Sequence, residues 1–174
     1  MIETIIFIIG SSGIVWISIP SLRKPGSHGF YRFFAWEIIL GLFAINLRRW
    51  FINPFAWYQI LSWILLLVSL IPIIYGVFLL RTVGQPTDQL EATTRLVTKG
   101  IYKFIRHPLY SSLVYLTWGI FFKSPSLLCG CLAITSTVFL YATARADESE
   151  CLVKFGADYA AYMKNTKMFI PLVF

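Results

Sequence analysis

Long apolar segments dominate this sequence and limit the folds that it can adopt. Five of them fall at residues 2–19, 30–47, 57–80, 109–122 and 126–144. A helix needs about 20 residues to cross a hydrocarbon core of ~30 Å. Apolar residues make up 57% of the 174 residues and charged residues only 13%, which leaves too little polar surface for a water-soluble fold. The sequence therefore predicts an all-α fold, a polytopic helical membrane bundle with about five transmembrane helices.

The fourth apolar segment is short for a full crossing. It either crosses the membrane or forms a tilted hairpin with the fifth segment, turning at residues 123–126. Glu37 lies inside the second segment, and an intramembrane carboxylate is either functional or paired with a neighbouring helix.

The fifteen Lys and Arg residues fall unevenly on the two sides of this bundle. Three of them, Arg48, Arg49 and Lys123, fall on one side, and the other twelve fall on the opposite side. Because Lys and Arg accumulate in short cytoplasmic loops, we expect the N-terminus outside and the C-terminus in the cytoplasm. The net charge of +7 then reflects topology and attraction to anionic lipid headgroups, with no need for a nucleic-acid partner.

The polar residues concentrate in the second half of the chain. Turn-forming residues 84–88 end the third span, and residues 145–165 have the three- and four-residue periodicity of an amphipathic helix, in which Gly156 is a candidate break. An apolar tail follows at 168–174. The three cysteines provide neither a disulfide framework nor a metal site. We expect residues 1–174 to form a single membrane domain.

Two polar elements could meet at the cytoplasmic boundary. One carries Arg106 and His107 at the start of the fourth apolar segment, and the other carries Arg145, Asp147 and Glu148 after the fifth. If they face each other, they close a pocket that is polar toward water and open to lipid. Basic residues at a helix start also snorkel to lipid headgroups in many membrane proteins, so these residues alone do not specify a site.

Several motifs in order make the pattern more specific. They are Leu96-Val97-x-x-Gly100-x-Tyr102, Arg106-His107-Pro108-x-Tyr110, Asp147-Glu148, and Phe155-Gly156-x-x-Tyr159-x-x-Tyr162 with a final Pro171. This pattern resembles the integral-membrane methyltransferases typified by isoprenylcysteine carboxyl methyltransferase and phospholipid N-methyltransferase. The resemblance covers residues 84–171, half of the chain. Two positions depart from the family pattern: the usual Glu-Glu pair is Asp147-Glu148, and Cys151 replaces an apolar residue.

The resemblance implies a membrane enzyme that uses S-adenosylmethionine, with a helical, non-Rossmann cofactor pocket on the cytoplasmic side. Residues 1–80 then form three N-terminal spans, and 81–174 form the cofactor-binding half. The cofactor-binding residues carried over by the resemblance are Thr94, Arg95, Leu96, Val97, Gly100, Tyr102, Arg106, His107, Pro108, Leu109, Tyr110 and either Asp147 or Glu148.

The expected catalytic roles depend on the acceptor. Arg145 could align a carboxylate nucleophile beside the sulfonium, whereas an amine or thiol needs a base, for which His107 and Glu148 are the candidates. The expected acceptor is lipophilic, either a prenylated cysteine carboxylate or an amine lipid. Two alternatives remain open: a non-catalytic binding or scaffold protein of the same fold, and an NADPH-dependent lipid reductase. The oligomeric state is also open.

Overall fold

The computed structural model describes residues 1–87 and 93–171 of the chain. Asp88 of the predicted turn and residues 172–174 of the predicted tail lie outside this range. The described part forms six α-helices and no extended strand: α1 (Ile2–Leu22), α2 (His28–Asn46), α3 (Trp57–Leu79), α4 (Pro108–Phe121), α5 (Leu127–Phe155) and α6 (Ala157–Asn165). The predicted all-α class is confirmed.

Four of the described helical segments are long and apolar enough to cross a membrane: Ile2–Leu22, His28–Arg49, Trp57–Gly84 and Leu127–Phe155. The second includes a 3₁₀ turn after α2, and the third includes a π-helical turn after α3. Helix α4 has only 14 residues and falls below that length. These spans confirm that the chain is an integral membrane protein.

Helix α4 runs antiparallel to α3 despite its shortness. At one end Gly76 of α3 lies against Pro108 and Leu109, so closely that a Cβ on Gly76 would meet Leu109 Cδ1 at 2.7 Å. At the other end the Gln59 amide donates to the backbone oxygen of Lys123 at 3.0 Å. Small residues permit such close helix approach in membranes, where van der Waals contact replaces the hydrophobic effect.

Contacts between distant residues define the two ends of the bundle. At one end the Glu150 carboxylate of α5 accepts the backbone N–H of His28 at 3.0 Å and lies 2.7 Å from His28 Nδ1. At the other end Asn46 donates to Cys129 Sγ at 3.5 Å. The first is called the site end below, and the second the opposite end.

The boundary of the last long helix differs from the sequence prediction. The sequence indicated a span ending at residue 144 and a separate amphipathic helix from Arg145, but α5 continues without interruption to Phe155. No helix breaker occurs between these positions, and the Arg145–Glu148 ion pair connects consecutive turns of the helix. The break falls at Gly156, whose φ of 55° is in the region that favours glycine. The acidic residues therefore belong to the last turns of a membrane-spanning helix.

Candidate functional site

A cavity at the site end lies between the start of α4, the last turns of α5, α6 and the segment before α4. It has a volume of about 80 Å³ and is open to solvent on one side. Its lining residues are Leu80, Thr93, Leu96, Val97, Tyr102, Arg106, His107, Pro108, Leu109, Tyr110, Asp147, Cys151, Phe155, Tyr159 and Tyr162.

The first wall of the cavity is the segment that leads into α4. The backbone N–H of Thr94 donates to Gly84 O at 2.9 Å, which turns the chain back toward the end of α3. Gly100 has a φ of 59°, and a Cβ there would meet Leu79 Cδ1 at 2.7 Å. Glycine is therefore required at the turn that directs the buried Tyr102 into the cavity.

The second wall depends on Arg106, which joins three parts of the chain. Its Nε donates to Glu148 Oε1 at 2.8 Å, and its Nη1 donates to the backbone oxygens of Met163, at 3.3 Å, and of Thr166. Arg145 Nη1 donates to the other oxygen of the same carboxylate at 3.1 Å. Because Glu148 is buried and binds two arginines, its carboxylate is committed to holding the wall together.

The chain after α6 completes this wall by pairing with the residues before α4. The backbone N–H of Arg106 donates to Lys167 O at 2.8 Å, and that of His107 donates to Met168 O at 3.2 Å. In the other direction the backbone N–H of Lys167 donates to Phe104 O at 3.1 Å. These bonds satisfy buried backbone groups and hold the His-Pro corner in place.

His107 is the most chemically distinctive group in the cavity. Its Nδ1 lies 3.4 Å from Asp147 Oδ2 and its Nε2 lies 3.5 Å from Glu148 Oε1, while the ring stacks on Tyr110 with centroids 5.5 Å apart. Burial lowers the pKa of His107, but the two carboxylates outweigh burial and the net effect raises it above 6.5. Nε2 is buried and makes no hydrogen bond within the described part of the chain. The two carboxylates therefore favour the protonated form of the imidazole, although the contact of Nε2 with Glu148 is longer than a hydrogen bond.

Tyrosine rings form much of the remaining surface. The Tyr162 hydroxyl donates to the backbone oxygen of Tyr102 at 2.6 Å, joining α6 to the first wall. Burial raises the pKa of Tyr159 and of Tyr162 above the ordinary tyrosine value, so both phenols remain neutral. The cavity therefore combines the Asp147 carboxylate, the His107 imidazole with its raised pKa, and several neutral tyrosine rings.

The structure brings most of the predicted site residues into this one cavity. Those that line it are Leu96, Val97, Tyr102, Arg106, His107, Pro108, Leu109, Tyr110 and Asp147. Those that do not are Thr94, Arg95, Gly100, Arg145 and Glu148. Of the two acidic candidates, Asp147 faces the cavity, and Glu148 lies behind it against the arginines. Arg145 is 58% exposed at its side chain.

Six residues that were not predicted as site residues also line the cavity: Leu80, Thr93, Cys151, Phe155, Tyr159 and Tyr162. Spacing could have identified two of them, because Asp147, Cys151 and Phe155 recur every four residues and so share one face of α5. Glu37, which sequence left open, accepts a hydrogen bond from Ser11 Oγ of α1 at 3.1 Å and lies outside this cavity.

The fold and the site define a helical membrane protein with a polar cavity at one end of its bundle. Residues 57–157 match the phospholipid methyltransferase family, and the chain belongs to that family. The resemblance seen in the sequence is thereby confirmed.

Curated relatives give the same indication. The chain is 29% identical over 117 residues to methanethiol S-methyltransferase of Pseudomonas deceptionensis, covering 64% of this chain and 42% of that protein. It is 30% identical over 116 residues to methanethiol S-methyltransferase 1 of Bradyrhizobium diazoefficiens, covering 63% and 39%. The chain thus spans about two fifths of the length of these relatives. No solved structure matches it significantly.

Proposed function

We propose that this protein transfers a methyl group from S-adenosylmethionine to a lipophilic acceptor at the site end of the bundle. The observation that supports this most directly is the single cavity shared by His107, Asp147 and the tyrosines, at the end of membrane-spanning helices. Family membership supplies the methyltransferase class and a methyl donor.

The cavity residues match the chemistry of S-adenosylmethionine. The Asp147 carboxylate, which is 20% exposed, suits the ammonium group of the cofactor. The protonated imidazole of His107, which lines the cavity, suits the cofactor carboxylate or a ribose hydroxyl. The rings of Tyr102 and Tyr159 suit the sulfonium cation.

When bound, S-adenosylmethionine supplies an electrophilic methyl group that a nucleophile displaces in line, so positioning contributes more than covalent chemistry by the protein. The contacts of Glu148 favour a positioning role for it, since both of its oxygens accept from arginines. His107 is biased toward protonation and serves better as a donor to the cofactor than as a base. Arg145, half-exposed beside the cavity, remains our candidate for aligning an anionic acceptor.

A second, almost wholly apolar cleft supports a lipophilic acceptor. It lies between α4 and α5, has a volume of about 330 Å³ and is lined by Ser111, Val114, Tyr115, Thr137, Val138, Tyr141, Phe169 and Ile170. Phe169 separates it from the cofactor cavity, with its ring centroid 6.3 Å from that of His107. A bilayer-soluble molecule could therefore approach the cavity from the lipid side.

The relatives named methanethiol S-methyltransferase suggest a thiol as the first acceptor to test. A small thiol partitions into apolar surroundings, as the second cleft requires. Prenylated cysteine carboxylates and amine lipids remain acceptors of the same lipophilic class.

We further propose that the whole chain acts as one membrane domain, with the N-terminus outside and the C-terminus in the cytoplasm. The asymmetry of Lys and Arg, three against twelve of the fifteen, supports this orientation. It places the cofactor cavity on the cytoplasmic side, where a water-soluble cofactor is available.

Calorimetry on the purified, detergent-solubilised protein tests the proposal. We expect S-adenosylmethionine and S-adenosylhomocysteine to bind and NADPH not to bind. Asp147→Asn should weaken S-adenosylmethionine binding about tenfold, the equivalent of one charge-assisted hydrogen bond. Glu150→Gln, an acidic residue of the same helix outside the cavity, is the matched control and should change the affinity less than twofold.

Other outcomes would contradict the proposal. Binding of NADPH alone would indicate a reductase, and binding of none of the three would indicate a scaffold. An equal loss of affinity in the Asp147 and Glu150 variants would refute the assignment of the cavity.

A further inference from the structure

A third cavity lies at the opposite end of the bundle, away from the cofactor cavity. It has a volume of about 360 Å³ and lies between the α2–α3 loop, the first turn of α3 and the turn between α4 and α5. Its polar lining includes Arg49, Asn53, Tyr58, Gln59 and Lys123. No carboxylate of the described residues lines it.

Lys123 is a buried cation in this lining. The residue is 1% exposed, and its Nζ donates to Gln59 Oε1 at 3.2 Å and lies over the Trp63 ring at 3.5 Å. Burial lowers the pKa of Lys123 to about 8, so the side chain is still mostly charged at neutral pH. No ion pair with a carboxylate is found for it within residues 1–87 and 93–171. A buried charge without a counterion is costly, and an anion bound nearby would offset that cost.

Arg49 adds a second positive charge to the lining of this cavity. Arg49 is exposed at the cavity and makes no ion pair in the described part of the chain, whereas the adjacent Arg48 pairs with Glu3. The buried Trp50 Nε1, beside Lys123, has no hydrogen-bond acceptor among the described residues.

Helix α3 begins at this cavity without a side-chain cap. Its N-cap residue is Ala56, and its first residues, Trp57 and Tyr58, line the cavity. The first N–H groups of a helix lack intrahelical partners, and the N-terminus of a long helix carries partial positive charge. The helix start and the two cations of the lining, Arg49 and Lys123, favour one kind of ligand, an anion.

We propose that this cavity binds the phosphate group of a membrane phospholipid in the leaflet opposite the cofactor cavity. The loop that forms its mouth supports a lipid as the source of the phosphate. Phe51 and Phe55 on this loop are 78% and 90% exposed, and Trp57 at the start of α3 is 69% exposed. Aromatic side chains at the ends of spans lie at the level of the headgroups, where lipid phosphates are concentrated. This proposal does not depend on the methyltransferase activity.

Binding measurements on the purified protein in a non-ionic detergent test the proposal. The probes are dioctanoyl phosphatidylglycerol, dioctanoylglycerol, which has the same chains without phosphate, and inorganic phosphate. We expect the phosphatidylglycerol to bind at least tenfold more tightly than the other two. Arg49→Gln should weaken that binding about tenfold, as for the loss of one charge-assisted contact. Arg48→Gln removes the same charge one residue away, outside the cavity lining, and should change the affinity less than twofold.

Four other results of these binding measurements would contradict the proposal. Equal weakening in the two arginine variants would show non-specific attraction to positive charge and would overturn the site. Equal binding of dioctanoylglycerol would show that only the chains are recognised, which also overturns it. Binding of inorganic phosphate as tightly as the lipid, lost in Arg49→Gln, would overturn the lipid source. No binding of the phosphatidylglycerol would overturn the proposal entirely.

Discussion

Replacing Arg106 by alanine is expected to destabilise the protein far more than replacing Arg145, although both arginines bind the same carboxylate. The Arg106 side chain is 10% exposed and that of Arg145 is 58% exposed, while their shared partner Glu148 is 2% exposed. Arg106 also donates to the backbone oxygens of Met163 and Thr166, whereas Arg145 makes no hydrogen bond to α6 within the described part of the chain.

The magnitudes follow from this difference in burial. Arg106→Ala removes the buried partner of Glu148 and the donor to the backbone oxygens of Met163 and Thr166, and it leaves the exposed Arg145 as the remaining arginine at the carboxylate. Losing the partner of a buried ion pair costs about 3–5 kcal/mol of unfolding free energy. An ion pair with a largely exposed partner contributes about 0–1 kcal/mol, because water screens it. After Arg145→Ala, Glu148 keeps its buried partner Arg106. We therefore expect a difference of about 3 kcal/mol or more between the two variants.

Reversible unfolding in mixed micelles, followed by circular dichroism, provides the measurement. A double variant, Arg106→Ala with Glu148→Gln, is the informative companion because it removes the carboxylate charge that has lost its buried partner and should recover part of the loss. If Arg145→Ala destabilised the protein as much as Arg106→Ala, the argument from burial would be refuted. No recovery in the double variant would show that the bonds to α6, and not the ion pair, account for the loss.

Two further predictions concern helix packing and pH. Gly119→Ala should destabilise the bundle by about 1–3 kcal/mol, because the new Cβ would lie 2.9 Å from Leu66 Cγ and 3.2 Å from the Leu66 backbone nitrogen. Gly13→Ala is the control, since a Cβ there would meet no neighbouring atom within 4 Å. In the same unfolding assay it should be neutral or stabilising. The pKa of His107 is raised in the folded state, so its ionic contribution to stability is fully present below pH 6.5 and is lost as the pH rises through the folded value. The stability difference between the wild type and His107→Asn should therefore shrink as the pH rises above about 6.5, and a difference that grew with pH would contradict this sign.

Much of the architecture could be predicted from hydrophobic periodicity. Apolar runs of known length indicated the spans, because the bilayer sets the length of a crossing helix. The Leu127–Phe155 helix shows where this reasoning fails. A hydropathy pattern detects the change from apolar to polar residues near Arg145, but backbone hydrogen bonding continues through it until a residue such as Gly156 interrupts it.

The content of the cavity was predictable in part, and its geometry was not. Motif order indicated that His107 and the acidic pair belong together, and the structure places them within ion-pair distance. Sequence alone could not distinguish Asp147 from Glu148, because adjacent residues on a helix differ by about 100° and the neighbouring helices decide which one faces the cavity. Tertiary packing turned Glu148 toward Arg106 and left Asp147 on the cavity surface.

The cluster around Lys123 had no signal in the sequence beyond the count of basic residues. Its partners, Trp50, Gln59 and Trp63, lie 60 or more residues away along the chain. Contacts of that kind arise only when α3 and α4 lie side by side, so local pattern reasoning could not find them.

The break between α5 and α6 at Gly156 has a consequence for truncated forms of the protein. A premature stop codon just after Phe155 would leave all four candidate spans intact, and the product would insert into the bilayer normally. It would nevertheless lack Tyr159 and Tyr162 and the carbonyl oxygens that hold the Arg106 guanidinium. Correct insertion is therefore no measure of competence here, since a shortened protein of normal abundance would be missing one wall of its cavity.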